Sequence, residues 1–280
     1  TAQVAALGTA QVQGLTTAQL NVLTSSQLAA FKATSLAALT TQQISKLESD
    51  SVALLTTAQV AALTSSQAGA LDSDQVAALT TAQITALGTA QLASIATAAI
   101  ANLDTDQVAA LKTNQIAALS TAQASALGTD QIVSLTTAQV KALSSTQLNA
   151  LDSEQLGAME TADVAALTTA QISKLSTAQV ALLSTDQIVA LTTAQIASLT
   201  SGQAFALTTD QIVELSTAQI AALTTAQASA LTSDQVSELG TDQIAAIGSA
   251  QLAKLSTAAV AALSTDQIVA LKTAQVAAMS

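Results

Sequence analysis

The groups in this sequence with the chemistry to bind or react are carboxylates and hydroxyls. Carboxylates fall two residues apart at Glu48/Asp50, Asp72/Asp74, Asp104/Asp106 and Asp152/Glu154. Acids at alternate positions can supply oxygen ligands to calcium. The competing reading places them beside helix starts, where negative charge meets the helix dipole, and it is the stronger of the two. Ser and Thr are abundant, but they recur so regularly that they read as structural. The chain has no His and no Cys, so the common bases and nucleophiles of catalysis are missing. Lys46, Lys141, Lys174 and Lys254 are scattered, and no Gly-rich phosphate loop occurs. The expectation is a non-enzyme with no catalytic, cofactor-binding or metal-binding residues and no cofactor.

Charge narrows the partners. Eighteen acids against seven lysines leave a net charge of −11. No basic patch exists to neutralise phosphates, which argues against nucleic acid and against anionic membrane surfaces. The mean hydropathy is positive, +0.50. A membrane-spanning helix, however, needs about 18 consecutive apolar residues, and Thr, Ser and Gln interrupt this chain every few residues. No membrane insertion is expected, and the first residues do not read as a signal peptide. The absence of Cys excludes disulfide staples and thiolate metal sites and is compatible with an extracellular setting.

The elements that must carry these residues follow from a repeat. The chain is a single array of 35 eight-residue units, spanning 1–280 without an insertion or deletion, with the first unit short by one residue. Let positions 1 to 8 be those of Thr192-Thr193-Ala194-Gln195-Ile196-Ala197-Ser198-Leu199. Position 8 is Leu except at Phe31, Ile95, Met159, Ile247 and Met279. Position 5 is Ile, Val or Leu, with Ala only at Ala68, Ala124, Ala204 and Ala228. Position 2 is Thr or Ser in 34 of 35 units, Ala33 being the exception. Position 4 is Gln in 30 units, the others being Ser35, Ser51, Ala99, Asp163 and Ala259.

Positions 5 and 8 lie three apart, on one face of a helix. The segment Ala-Gln-Ile-Ala-Ala-Leu favours helix. Thr or Ser at position 2 is a preferred N-cap, while Gln three residues after position 1 spells a capping box that shifts the cap back by one. Gly8, Gly88, Gly128, Gly240 and Gly248, at position 1, suit a left-handed helix end. Each unit is therefore expected to form five or six helical residues and a tight turn. Gln at position 4 has two readings: a bond back to the cap, or an amide ladder between turns.

Two rival structures conflict with the octad. In one continuous α-helix an octad advances the apolar stripe by about 80°, so no seam forms. A β-solenoid needs alternation or β-branched runs, which Ala-Ala-Leu with Gln does not supply. A lone octad buries too little to hold itself, so units must stack along the chain and between turns. The fold class expected is all-α, an elongated solenoid of very short helices, one per unit.

A second period gives the winding. Acids at position 3 are Asp50, Asp74, Asp106, Asp130, Glu154, Asp186, Asp210, Asp234, Asp242 and Asp266. Omitting Asp242, they recur every three or four units, about 3.4 on average. The units with Ala at position 5 each precede an acidic unit, and Lys32, Lys112 and Lys272 fall at multiples of ten units. One turn is then expected to take about 3.3 units, or about 27 residues, with the acids in a stripe along one side. Neither end shows the polar capping unit that solenoids use. The array is thus expected to be a segment of a longer one, or to associate end to end or laterally.

Runs such as Leu183-Ser-Thr-Asp-Gln-Ile-Val-Ala-Leu191 and Leu191-Thr-Thr-Ala-Gln-Ile-Ala-Ser-Leu199 resemble the Leu-Thr-x-x-Gln-Ile-Ala-Ala-Leu octapeptide arrays of large bacterial surface or secreted proteins. The likeness covers the whole chain. Many such arrays carry Pro after the Thr; this sequence has none. The resemblance implies a structural or adhesin-like role at the cell surface or outside it. Three functions follow as expectations: a stalk, spacer or filament segment; an ice-binding Thr array; or a scaffold holding a protein partner along its acidic stripe.

Overall fold

In the computed structural model, residues 1–279 are described. Each octad forms one α-helix of four to six residues, numbered in chain order from α1 (Ala2–Ala5) to α35 (Thr273–Ala278), and no strand occurs among the described residues. The chain is an all-α solenoid. Contacts divide it into two bodies, Thr1–Ala150 and Leu151–Ser280. The first holds α1 to α19 (Ser145–Asn149) and the second α20 (Ser153–Ala158) to α35.

Both ends of the helix differ in detail from the simplest reading of the octad. From α2 (Thr9–Gln13) onward the N-cap is position 1, not position 2. In α25 (Thr193–Ser198), Thr192 is extended at φ −70°, ψ 159°, and its hydroxyl accepts the Gln195 N–H at 3.3 Å. The Gln195 side chain answers by accepting the Thr192 N–H at 2.7 Å, closing the capping box. Both positions offer a hydroxyl, so the residue at N3 decides: only position 1 has Gln three residues on.

The helix then leaves without a left-handed residue. No described residue, glycine included, has positive φ. Instead the apolar residue at position 8 turns extended, as Leu199 does at φ −56°, ψ 139°, while its N–H still reaches the Ile196 carbonyl at 3.2 Å. Gly8, Gly88, Gly128, Gly240 and Gly248 are accordingly N-caps in the extended region, with φ between −81° and −66°. The expected glycine C-cap is corrected on that ground: two extended residues make the corner, and any L-residue adopts them.

The core is one residue wide. From α4 (Ser25–Ala30) to α32 (Ser249–Leu252) position 5 side chains are sealed, Ile84 and Ile116 at 0% exposure, and position 8 closes over them, Leu87 at 3%; Ile268 and Val276 in the last units are exposed. Helices three units apart pack together. In the first body α8 (Thr57–Ala61) packs on α11 (Thr81–Ala86), and α11 on α14 (Thr105–Ala110). In the second, α22 (Thr169–Ile172) packs on α25, and α25 on α28 (Thr217–Ala222). Side-chain bonds reach the fourth unit back, so a turn closes between three and four units, bracketing the expected 3.3.

Candidate functional site

The chemistry of this chain is concentrated in its glutamines. Gln115 is 1% exposed. Its Oε1 accepts the Lys112 N–H at 2.8 Å, and its Nε2 donates to the carbonyls of Ile84 and Leu87, at 3.0 and 2.9 Å. Lys112 has no capping oxygen, so the glutamine serves that helix start alone. Gln203 repeats the pattern in the second body, from the Thr200 N–H at 2.7 Å to the carbonyls of Ile172 and Leu175 at 2.7 and 2.8 Å. The acceptors are carbonyls at a helix end: Leu87 lies past it and accepts no backbone N–H among the described residues, while Ile84 already accepts the Leu87 N–H at 3.3 Å and takes the amide as a second donor. One buried amide thus completes the start of one unit and the end of another 28 to 31 residues earlier.

Of the two readings of position 4, the bond back to the cap is correct. The amide ladder is replaced by a clamp on backbone carbonyls, because the last turn of the lower helix presents acceptors where a second amide would sit. The clamp also explains why 30 of 35 units keep Gln while position 1 varies among Thr, Ser, Asp, Gly, Ala, Lys and Glu.

Exceptions at position 4 show what the site tolerates. Ser35 donates its hydroxyl to the Leu7 carbonyl at 3.1 Å, the same 28-residue step. Ala99 and Ala259 are fully buried and donate nothing. Asp163 is 3% exposed, and its helix, α21 (Thr161–Ala166), has Glu160 as a cap that makes no side-chain bond. Burial pushes the Asp163 carboxyl above the ordinary carboxylate range, and the charge of Glu160 pushes it the same way. The sequence marks Asp163 only as a break in pattern; its burial follows from its place in the octad.

The paired carboxylates separate by role. Asp72, Asp104 and Asp152 are N-caps, accepting the N–H of Gln75, Gln107 and Gln155 at 2.9, 2.7 and 2.9 Å. Their partners Asp74, Asp106 and Glu154 are exposed in the first turn, where they meet the positive end of the dipole. Among the described residues, no three His, Cys, Asp or Glu side chains gather to hold a metal ion.

The position 3 acids lie on helices that stack. In the first body α7 (Ser49–Ala53), with Asp50, packs on α10 (Ser73–Ala77), with Asp74. In the second, α24 (Thr185–Val189), α27 (Thr209–Glu214) and α30 (Ser233–Glu238) pack in series and carry Asp186, Asp210 and Asp234. An open groove there is lined by Thr161, Thr185, Asp186, Val189, Ala190 and Glu214.

Hydroxyls divide likewise. Those at position 1 are spent on caps. Those at position 2, exposed or half-buried, bond nothing else in the described chain, apart from a 3.5 Å contact between Ser233 and Asp234. No helix among the described residues is long and apolar enough to cross a membrane.

The sequence model of the ALTTAQ repeat matches residues 1–33, 44–81, 77–113, 100–137, 133–159, 156–193, 188–217, 213–241 and 244–280. No curated protein matches the chain.

Proposed function

The chain belongs to the ALTTAQ repeat family, and we propose that its octads serve as a non-catalytic structural element, a rod, stalk or filament segment at a cell surface or outside the cell. The observation that carries this reading is the glutamine clamp. The most restricted polar side chain of the repeat is buried and fully engaged in joining one turn to another, which leaves it no ligand to hold. The outward positions carry Ala, Ser, Thr and dispersed acids rather than convergent reactive groups. The likeness to octapeptide arrays of bacterial surface and secreted proteins, and the lack of Cys, support the extracellular setting.

Self-association of such arrays, end to end or laterally, belongs to the same structural reading. The acidic helices stacked beside an open groove favour one further reading, a scaffold for a basic protein partner.

Sedimentation velocity combined with electron microscopy tests the structural reading. Elongated particles that lengthen with protein concentration are expected. Compact monomers at every concentration would overturn it.

A further inference from the structure

We propose that unit 21, residues 160–167, is a pH-governed yielding point, closed when the Asp163 side chain is neutral and loosened when it carries charge. The argument begins from position. Thirty units place an amide at position 4, able both to accept the cap N–H and to donate to carbonyls. An ionised carboxylate accepts only. Protonated, it regains one donor, as the Ser35 hydroxyl supplies to the Leu7 carbonyl at 3.1 Å. Asp163 is 3% exposed, so its charge cannot be hydrated as a surface acid would be.

The surroundings worsen the charged state. Glu160, the extended N-cap residue three positions earlier, makes no cap bond. α24, which packs on α21, brings Asp186, and the groove lined by Thr161 and Asp186 is also lined by Glu214 of α27. Neither α24 nor α27 contains a lysine. Every charged group that these elements contribute is a carboxylate, and no other unit joins a buried acid to an acidic cap residue.

The sign follows by linkage. Desolvation, then Glu160, raises the folded-state pKa above the unfolded value. The unit's stability is therefore whole below the ordinary aspartate pKa of about 3.9 and declines as pH rises through the raised value. This inference holds whether or not copies of the chain associate.

The test is amide hydrogen exchange on the full chain across acid to neutral pH, corrected for intrinsic rates. Protection of residues 161–166 should fall by up to about tenfold per pH unit within the titration window, the limit for one proton. Protection of α25, which holds Gln195, should stay level. Asp163→Gln and Asp163→Asn should both abolish the pH dependence, and Asp163→Gln should give the higher protection at neutral pH. Carboxyl NMR of the unsubstituted chain provides a second readout independent of variant folding. An Asp163 carboxyl titrating in the ordinary range, or a pH dependence that survives in both variants, would overturn the proposal.

Discussion

At the scale of the residue, glutamine is chosen for its two-sidedness. Its amide has an acceptor and two donors on one planar group, and its reach from position 4 spans a cap and a turn. A shorter side chain can do one of the two jobs, as Ser35 does in bonding the Leu7 carbonyl and not the cap, and Glu lacks the donor. Gln115→Ala should cost about 1–3 kcal/mol, because the Leu87 carbonyl loses its donor while staying buried and the Ile84 carbonyl keeps only the Leu87 N–H. Differential scanning calorimetry with exchange mapping is the measurement, and the loss of protection should appear in both α11 and α15 (Thr113–Ala118). A loss confined to α15 would show that the amide works only as a cap. The sequence made half of this legible. Gln three residues after a Ser, Thr or Asp announces the cap; its other partners, 28 to 31 residues earlier, are anonymous backbone carbonyls and carry no residue signature. The position 2 hydroxyl is the reverse case: the most regular hydroxyl in the pattern, with no bonded partner among the described residues beyond the Ser233–Asp234 contact.

At the scale of the element, the octad was readable as a helix and a corner, and what the sequence hid was phase. Hydroxyls at positions 1 and 2 both suit a cap. The tie is broken by the reciprocal glutamine bond and by the extended conformation of position 8, which glycine did not signal. Glycine matters elsewhere. A Cβ on Gly69 would lie 2.7 Å from the backbone oxygen of Ser94, at the end of α12 (Thr89–Ser94). Next to it, Ala68 is the small residue at position 5 of α9 (Ser65–Ala68), and α9 packs on α12. In this unit the small residues let the two helices approach closely. Gly69→Ala should destabilise by about 1–3 kcal/mol, since backbone rather than a flexible side chain must give way. The same change at Gly157, where no atom lies within 4 Å, should be neutral or slightly stabilising. Equal melting temperatures for the two variants would contradict this account.

At the scale of the whole molecule, the sequence disclosed a solenoid and its winding because the variable positions carry their own period. Acids every three or four units report which units share a side, and the stacked helices α24, α27 and α30 agree. It did not disclose which groups cross between turns, for the reason given for glutamine. Stability in such an array is a sum of unit and neighbour terms. Leu119→Ala should therefore cost about 2–5 kcal/mol at its own site, with exchange protection lost in α15 and the helices packed on it, and retained in α1 to α8. Protection lost evenly across the first body would instead mean all-or-none cooperativity.

The glutamine reach has a mechanical corollary. Among the described residues the glutamine clamps span 28 to 31 residues, so tension applied along a body breaks ties between neighbouring turns. Each octad peeled from an exposed edge surrenders one amide clamp and two apolar side chains, and frees about 27 Å of slack at about 3.4 Å per residue. Pulled in an optical trap, a body of this kind should yield at nearly constant force, lengthening in small even steps and rewinding when relaxed. It would act as a spring with a set load limit, where a globular domain of equal size would hold and then snap.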